Sequence, residues 1–561
     1  MTHGDEADLV LLSNTVLWLR EDDPVAPGFV AVRDGVICGT GPRQDAEDFV
    51  GPGTEVRDLG DRPLAPGFVD VHAHMEVAAR MRYQTVDCRA PQCGSIPEVL
   101  GQLRAHLDAA VDGWLVGQAN LFFDQKLAEK RLPTRGELDS VSTEVAIALR
   151  AGGHITVLNS RALELAGIDA GYEEVQHSIT GLPTVVRDNA GEPTGVVKEM
   201  DNILPLPQLP ADELAPAIQQ GVREQFSRFG VTTIGEISET MDGLTAMDRL
   251  HQDGILGARV RLYMWVPGTT TLEQACDMAV EPPVASSPEL LRVHGVKMFS
   301  DGGFSASSAA VKQPYVHEHG SCGEVALSPE RIAEALSATA AAGLQLAIHA
   351  NGDRAQEAVC EAIVAAGGVP DGAPTTRVEH AGNFLPDPET TTGAWAAAGI
   401  VPVPQPVFLY TFGDFFPTYL GEYGERGRFP FRDLLNQGWP LTGSSDVWIG
   451  SEQQATNPFF SIWCTLARRS FFGQVIDADQ AVTLTEALRM HTVNGAHVLG
   501  ESHMYGSLEV GKHADMIILD RDPYAVDIDG LLEIAVEEVF LGGRTVFLRD
   551  RTGDRAESQA G

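Results

Sequence analysis

The sequence predicts an α/β protein: a (β/α)8 TIM barrel with a large insertion after strand 1 and a small sheet domain built from both chain ends. Three observations predict it. The middle of the chain alternates apolar strands with helical stretches, the texture of a parallel α/β sheet. Eight candidate strands can be counted there, the number that closes such a barrel. Both ends are instead rich in short strands broken by turn residues.

In chain order, ADLVLLSNTVLWL, FVAVRDGVICGTG and TEVRDLGDRPL read as strands, with turns at Arg33-Asp34-Gly35 and Gly60-Asp61-Arg62. The barrel strands follow at 67–74, 231–238, 258–266, 292–300, 343–350, 375–381, 399–409 and 439–446. The gap between the first two is too long for one crossover. It holds helix-like SIPEVLGQLRAHLDAA, strand-like TEVAIALR, helical SRALELAG and a turn-rich stretch around RDNAGEPTG. Residues from about 80 to 225 are therefore expected to form an inserted subdomain over the C-terminal face of the barrel. Ser328-Pro329-Glu330 opens a helix with a cap and a proline at the first position. A helix over 354–366 stops at Gly367 and Gly368, and Thr483-x-x-Glu486 is a capping box. YGSLEVGKHADMIILDRDPY and VEEVFLGGRTVFL return to strand texture. The expected division is 1–63 and 501–561 for the small sheet domain and tail, and 64–500 for the barrel with its insertion.

The chain has 561 residues, 43% of them hydrophobic and 21% charged, an ordinary balance for a folded soluble protein. Its net charge of −38 repels phosphate backbones, so a nucleic-acid partner is not expected. No apolar run is long enough to span a bilayer. MTHGDEADLV lacks the basic start of a signal peptide, and a cytoplasmic location is expected. Cys38, Cys88, Cys93, Cys276, Cys322, Cys360 and Cys464 are scattered and odd in number, as free thiols in a reducing compartment would be. Cys88 and Cys93 offer half a metal site with no second pair.

The chemistry-bearing residues gather at strand ends. Asp70, His72 and His74 are two apart on a strand, so they share one face. Neutral imidazole is a good metal ligand, but two histidines alone are a weak signal. The later strands supply more: Lys297 ahead of Ser300-Asp301-Gly302-Gly303, His349 in IHANGDR, His380 in RVEHAG and Asp446 in TGSSDVW. In a barrel these C-terminal strand ends face one site. Four imidazoles, a carboxylate and a bridging group suffice for two cations about 3.5–4 Å apart. An ammonium cannot ligate a metal. A buried lysine of lowered pKa can react with carbon dioxide to give a bridging carbamate. The alternative for Lys297 is an unmodified amine paired with Asp301 or beside a single metal.

Taken together, PGFVDVHAH, LPTRGELD with GGHITVLNSRAL, GVKMFSDGG, IHANGDRA, RVEHA, SSDVW and GSLEVGKHADMIILDRDP resemble the amidohydrolase superfamily. Within it the chain resembles amidohydrolase family 3, the branch that includes N-substituted formamide deformylases. The resemblance covers nearly the whole chain. It implies a metal-dependent hydrolase with a (β/α)8 barrel, a small β-sandwich domain formed by both chain ends, and metal roles for His72, His74, Lys297, His349, His380 and Asp446. It also sets His154 near the substrate, although a histidine in a glycine-flanked loop is equally a surface residue. Gln405 and Trp448 lie within or just past strand ends and are candidates, with Arg354, for contact with substrate. Asp353 reads as the cap of its helix. His491 and His497 read as structural, and Lys512 as a turn residue.

The expected activity is hydrolysis of a non-peptide carbon–nitrogen bond, such as an amide or N-substituted formamide. Asp446 serves as general base to a metal-activated water, and His154 steadies the oxyanion. The expected cofactor is one or two divalent ions, zinc by default, with iron, manganese or nickel fitting the same ligands. Ester or lactone hydrolysis, isomerisation and decarboxylation on the same site are the alternatives, then a non-catalytic scaffold. The substrate is a small molecule, read by the insertion and by the aromatic loop TFGDFFPTYLGEYGERGRF. A homodimer is the expected assembly.

Overall fold

Strands buried on both faces read as continuous apolar runs, and the middle of the chain forms its parallel sheet from such runs. The computed structural model describes residues 6–20, 24–175, 180, 182–282, 287–317 and 320–550. We number the barrel strands β1 (Phe68–Ala73), β2 (Val231–Ser238), β3 (Arg259–Trp265), β4 (Leu291–Phe299), β5 (Gln345–His349), β6 (Arg377–Glu379) and β7 (Val401–Val403). Every residue of β1, β2, β3, β5 and β6 is buried, because side chains fill the barrel on one face and helices cover the other. The seven strands pair in parallel in the order β7-β6-β5-β4-β3-β2-β1.

The eighth predicted strand, 439–446, is not a strand. Pro440 has no N–H to give a ladder, and the segment ends at Asp446 in a left-handed backbone (φ 44°). The segment nevertheless lies between β7 and β1. Asp446 N donates to His72 O (2.8 Å), His74 N donates to Val447 O (3.0 Å), and Ser444 Oγ donates to Pro404 O (3.0 Å). Asp70 contributes to the same seam rather than to the cavity, accepting from Ser445 N at 3.0 Å.

Both termini meet in one sheet. Met516–Leu519 pairs antiparallel with Leu64–Pro66, which runs straight into β1, and Leu9–Leu17 carries the N-terminal strands onward to Val36–Gly41. Where the family resemblance implies a sandwich, hydrogen bonding joins these strands into one sheet of eight. A third sheet, of six strands, lies within residues 86–198, and its inner strands Ala146–Ala151 and Ile155–Leu158 form an antiparallel hairpin. Ser328 caps its helix as predicted, and Thr483 with Glu486 forms the capping box. Asp353 is not a cap. Gly352 holds that position, and the Asp353 carboxylate instead accepts from Lys312 N and from Tyr423 Oη. Among the described residues, no helix is long and apolar enough to cross a membrane.

Candidate active site

Parallel strands deliver their C-terminal ends to one mouth, and the predicted ligands converge there. Asp446 Oδ1 lies 3.2 Å from His72 Nε2 and 3.3 Å from His74 Nε2, and Asp446 Oδ2 lies 3.9 Å from His380 Nδ1. His349 and His380 meet edge to face with ring centres 4.5 Å apart. Lys297 Nζ is 3.4 Å from His72 Nε2 and sits over the Phe299 ring. Two of these residues stand in strained backbone: His380 (φ 70°) and Asp446 (φ 44°) are left-handed without being glycine.

Each imidazole is held from behind. His72 Nδ1 donates to Glu379 (2.5 Å), His74 Nδ1 to Glu239 (2.9 Å), and His380 Nδ1 to the amide oxygen of Gln405 (2.7 Å). These partners keep the proton on Nδ1 and leave Nε2 free to ligate. His349 is turned the other way. Its Nε2 is the engaged atom, 3.1 Å from Asn351 Nδ2 and 3.4 Å from Gly302 O, and its Nδ1 has no hydrogen-bond partner among the described residues.

Electrostatics suit a cation. Burial draws His349 well below the usual imidazole range, and draws His380 down to about 3, so both rings are neutral ligands. Burial opposes charge on Asp446, but His72, His74 and His380 outweigh it and hold the carboxyl well below its ordinary value. For His74, burial is outweighed by Asp446 and Glu239, which raise it to about 9. Burial pulls Lys297 down to about 8 against the pull of Glu379 and Asp446. Among the described residues Lys297 has no carboxylate oxygen within 4.0 Å. Asp301 is not its partner, being occupied by the amides of Ala310, Asn351 and Gly352. The donor set fits a divalent metal: His72, His380 and Asp446 offer ligand atoms all within 4.8 Å of one another, and His74, His349 and Lys297 border them.

The cavity above this cluster has an apolar wall of Leu121, Phe122, Phe304, Phe408 and Phe412. The polar side includes His154, Asn351 and Ser305. His154 comes from the hairpin of the six-stranded sheet, and its Nδ1 donates to Glu199 at 2.9 Å. Glu199 in turn accepts from Gly303 N and Ser308 Oγ. Gly303 allows this approach, since a Cβ there would lie 2.7 Å from the His154 ring. Trp448 lines the cavity between His74 and His154, with ring centres 5.2 and 5.7 Å away.

Two sequence candidates do not line the cavity. The Arg354 guanidinium is drawn off to the carbonyls of Cys322 and Gly323 (3.2 and 2.6 Å), which capture its donors before a substrate could. Gln405 stands behind His380, with Asn383 and Ser444 as its other side-chain partners. His491 bonds Ser461 in the core, and Cys88 and Cys93 are buried free thiols. The sequence reading missed Glu239, Glu199 and Glu379. A signal existed for two of them. Glu379 stands two residues from Arg377 on one strand face, and Glu239 is the first residue past β2.

An α/β barrel that gathers buried imidazoles and a carboxylate at its C-terminal mouth, beside a small cavity, has a donor set that fits a divalent cation. The chain belongs to the amidohydrolase family, in its family 3 branch, whose pattern matches residues 55–547. It is 29% identical to the N-substituted formamide deformylase of Arthrobacter pascens, over 97% of this chain and 99% of that one. It is 27% identical to Protein LONG AFTER FAR-RED 3 of Arabidopsis thaliana, over 97% and 92% of the two chains. Its fold resembles that of a metal-dependent hydrolase from Pyrococcus horikoshii, with a TM-score of 0.68 and 23% identity over 93% of this chain and 99% of that chain.

Proposed function

We propose that the protein hydrolyses a carbon–nitrogen bond outside peptides, in an amide or N-substituted formamide, with Asp446 as general base. The observation that carries the reading is the place of Asp446. Its carboxylate lies within 3.3 Å of two imidazole Nε2 atoms, is held ionised, and shares the cavity with His154. His72, His74, His349, His380 and Asp446 would hold one or two divalent ions, with zinc favoured by the nitrogen-rich set. When bound, such an ion polarises a carbonyl and lowers the pKa of water.

The side chains do the rest. Asp446 takes the proton of the attacking water as the carbon–oxygen bond forms, and returns it to the nitrogen as the carbon–nitrogen bond breaks. His154 is held by Glu199, whose carboxylate raises its pKa against burial, and as the imidazolium it donates from Nε2 to the oxygen on which charge develops. The leaving amine or its substituent rests against Phe122, Phe408 and Phe412, which exclude water. Lys297, as a neutral amine, would attack carbon dioxide: the N–C bond forms as one C=O π bond opens, the nitrogen loses a proton, and the carbamate would add a carboxylate-like anion to the donor set. The reading is tested by assaying a panel of amides, N-substituted formamides, esters and lactones with metal-reconstituted protein. Turnover of amides or formamides supports it, and turnover of esters or lactones alone overturns it.

A further inference from the structure

Barrel interiors are ordinarily filled by layers of branched aliphatic side chains. Beneath His72 this one is filled by a polar column. Glu379 on β6 accepts from His72 Nδ1 and forms a two-bond pair with Arg377, at 2.8 and 3.0 Å. Arg377 Nη1 donates to Tyr263 Oη (2.7 Å), and its Nη2 also donates to the Val71 carbonyl (2.9 Å). The guanidinium lies 4.6 Å over the Tyr263 ring. Tyr263 Oη donates to Gln345 Oε1 (2.5 Å), and Gln345 Nε2 donates to Val498 O (2.8 Å), at the far end of the barrel. Arg377, Glu379 and Tyr263 have no exposed surface.

Two interior glycines make the room. A Cβ at Gly295 on β4 would lie 2.5 Å from the Tyr263 ring, and one at Gly235 on β2 would lie 2.1 Å from the Val71 carbonyl that Arg377 binds. A buried ion pair is not a cheap way to fill a core. Well-packed hydrophobic residues of similar volume are often as stabilising or more so. The column therefore needs a reason other than stability, and its upper end supplies one. Glu379 touches only Arg377 and the ligand His72 among the side-chain partners the structure gives it.

We propose that Arg377 and Tyr263 are positioning residues for the metal centre. They lock the Glu379 carboxylate in one orientation, so that it holds the proton on His72 Nδ1 and commits Nε2 to the cation. The inference rests on reading the histidine cluster as a metal site. An ionised carboxylate accepts only, so it selects one imidazole tautomer, and a bidentate guanidinium leaves it no second rotamer.

The experiment measures zinc affinity by competition with a chromogenic chelator, together with the melting temperature of the metal-free protein. The parent is compared with Glu379→Gln and Tyr263→Phe. Glu379→Gln is expected to weaken zinc binding by roughly 10–100-fold, the range for partners of ligating histidines. Tyr263→Phe, which removes one hydroxyl and keeps the ring, is expected to weaken it by a smaller but measurable factor, roughly 3-fold or more. If both variants bind zinc as tightly as the parent and only melt earlier, the column is structural and the proposal is overturned. Should Glu379→Gln not fold, Tyr263→Phe decides alone, on the same criterion. A parent that binds no zinc would overturn the metal-site reading itself, which is a separate outcome.

Discussion

Asp446 Oδ1 lies almost equidistant from His72 Nε2 and His74 Nε2, at 3.2 and 3.3 Å, although the three residues come from opposite ends of the barrel sequence. A left-handed backbone at Asp446 turns the carboxylate into that place. Asp446→Asn keeps the shape and the amide oxygen but removes the base. Turnover should fall by roughly 10²–10⁴-fold with metal retained, as measured by kcat beside metal content. A near-normal kcat would remove Asp446 from its assigned role.

His154 and Glu199 form the second pair facing the cavity. His154→Ala should lower kcat by roughly 10²–10³-fold, with much less effect on KM, because the lost hydrogen bond is made to developing charge. A kcat close to that of the parent would leave His154 a wall residue only.

Lys297 is buried, its pKa is drawn down to about 8 by that burial, and it has no carboxylate oxygen within 4.0 Å among the described residues. Native mass spectrometry should find the parent heavier by one carbon dioxide. Lys297→Met should lack that gain and lose one of about two bound ions. A parent of unmodified mass under bicarbonate would mean a plain amine at this position.

Phe122 and Phe412 approach the site from different parts of the chain, the third sheet and the segment after β7. Trimming either to Ala should raise KM for apolar N-substituted substrates by roughly 10-fold or more and spare small ones. An equal effect on all substrates would point to lost packing instead.

A pH effect on stability follows from Glu486. The Arg432 fork (2.8 and 2.6 Å) and the Thr483 cap lower its carboxyl from 4.5 to about 2. A lowered folded-state pKa stabilises above pH 4.5, and the benefit is lost as pH falls from there toward about 2. Glu486→Gln should therefore cost about 0.5–1 kcal/mol near neutrality, allowing for solvent screening, with the gap closing below pH 4.5. Melting curves at several pH values check this, and a gap that widens in acid would refute it.

What could be read from the residues followed short-range physics. The parallel barrel strands showed as apolar runs, and their ends carried the histidines, Lys297 and Asp446 that the structure gathers. The eighth stave has strand-like texture but forms no strand, being joined to its neighbours by single hydrogen bonds at Ser444, Asp446 and Val447 instead of a ladder. Arg354 was misread because the carbonyls that capture it, Cys322 and Gly323, approach from a loop distant in sequence. Gln405 lies at a strand end, a position that suggests a cavity residue, but its amide stands one layer out behind His380. Of the acids behind the imidazoles, Glu199 leaves no sequence signal, because it reaches His154 only once the third sheet has folded against the loop after β4.

The central claim is that these side chains hold a divalent metal that the reaction needs. The direct measurement is metal content per chain, by plasma mass spectrometry, on protein purified without chelator, beside a His72→Ala, His380→Ala double variant. The account predicts about one to two ions in the parent and close to none in the variant. A parent that carries no metal, and takes up none when supplied with zinc, iron, manganese or nickel, would contradict it.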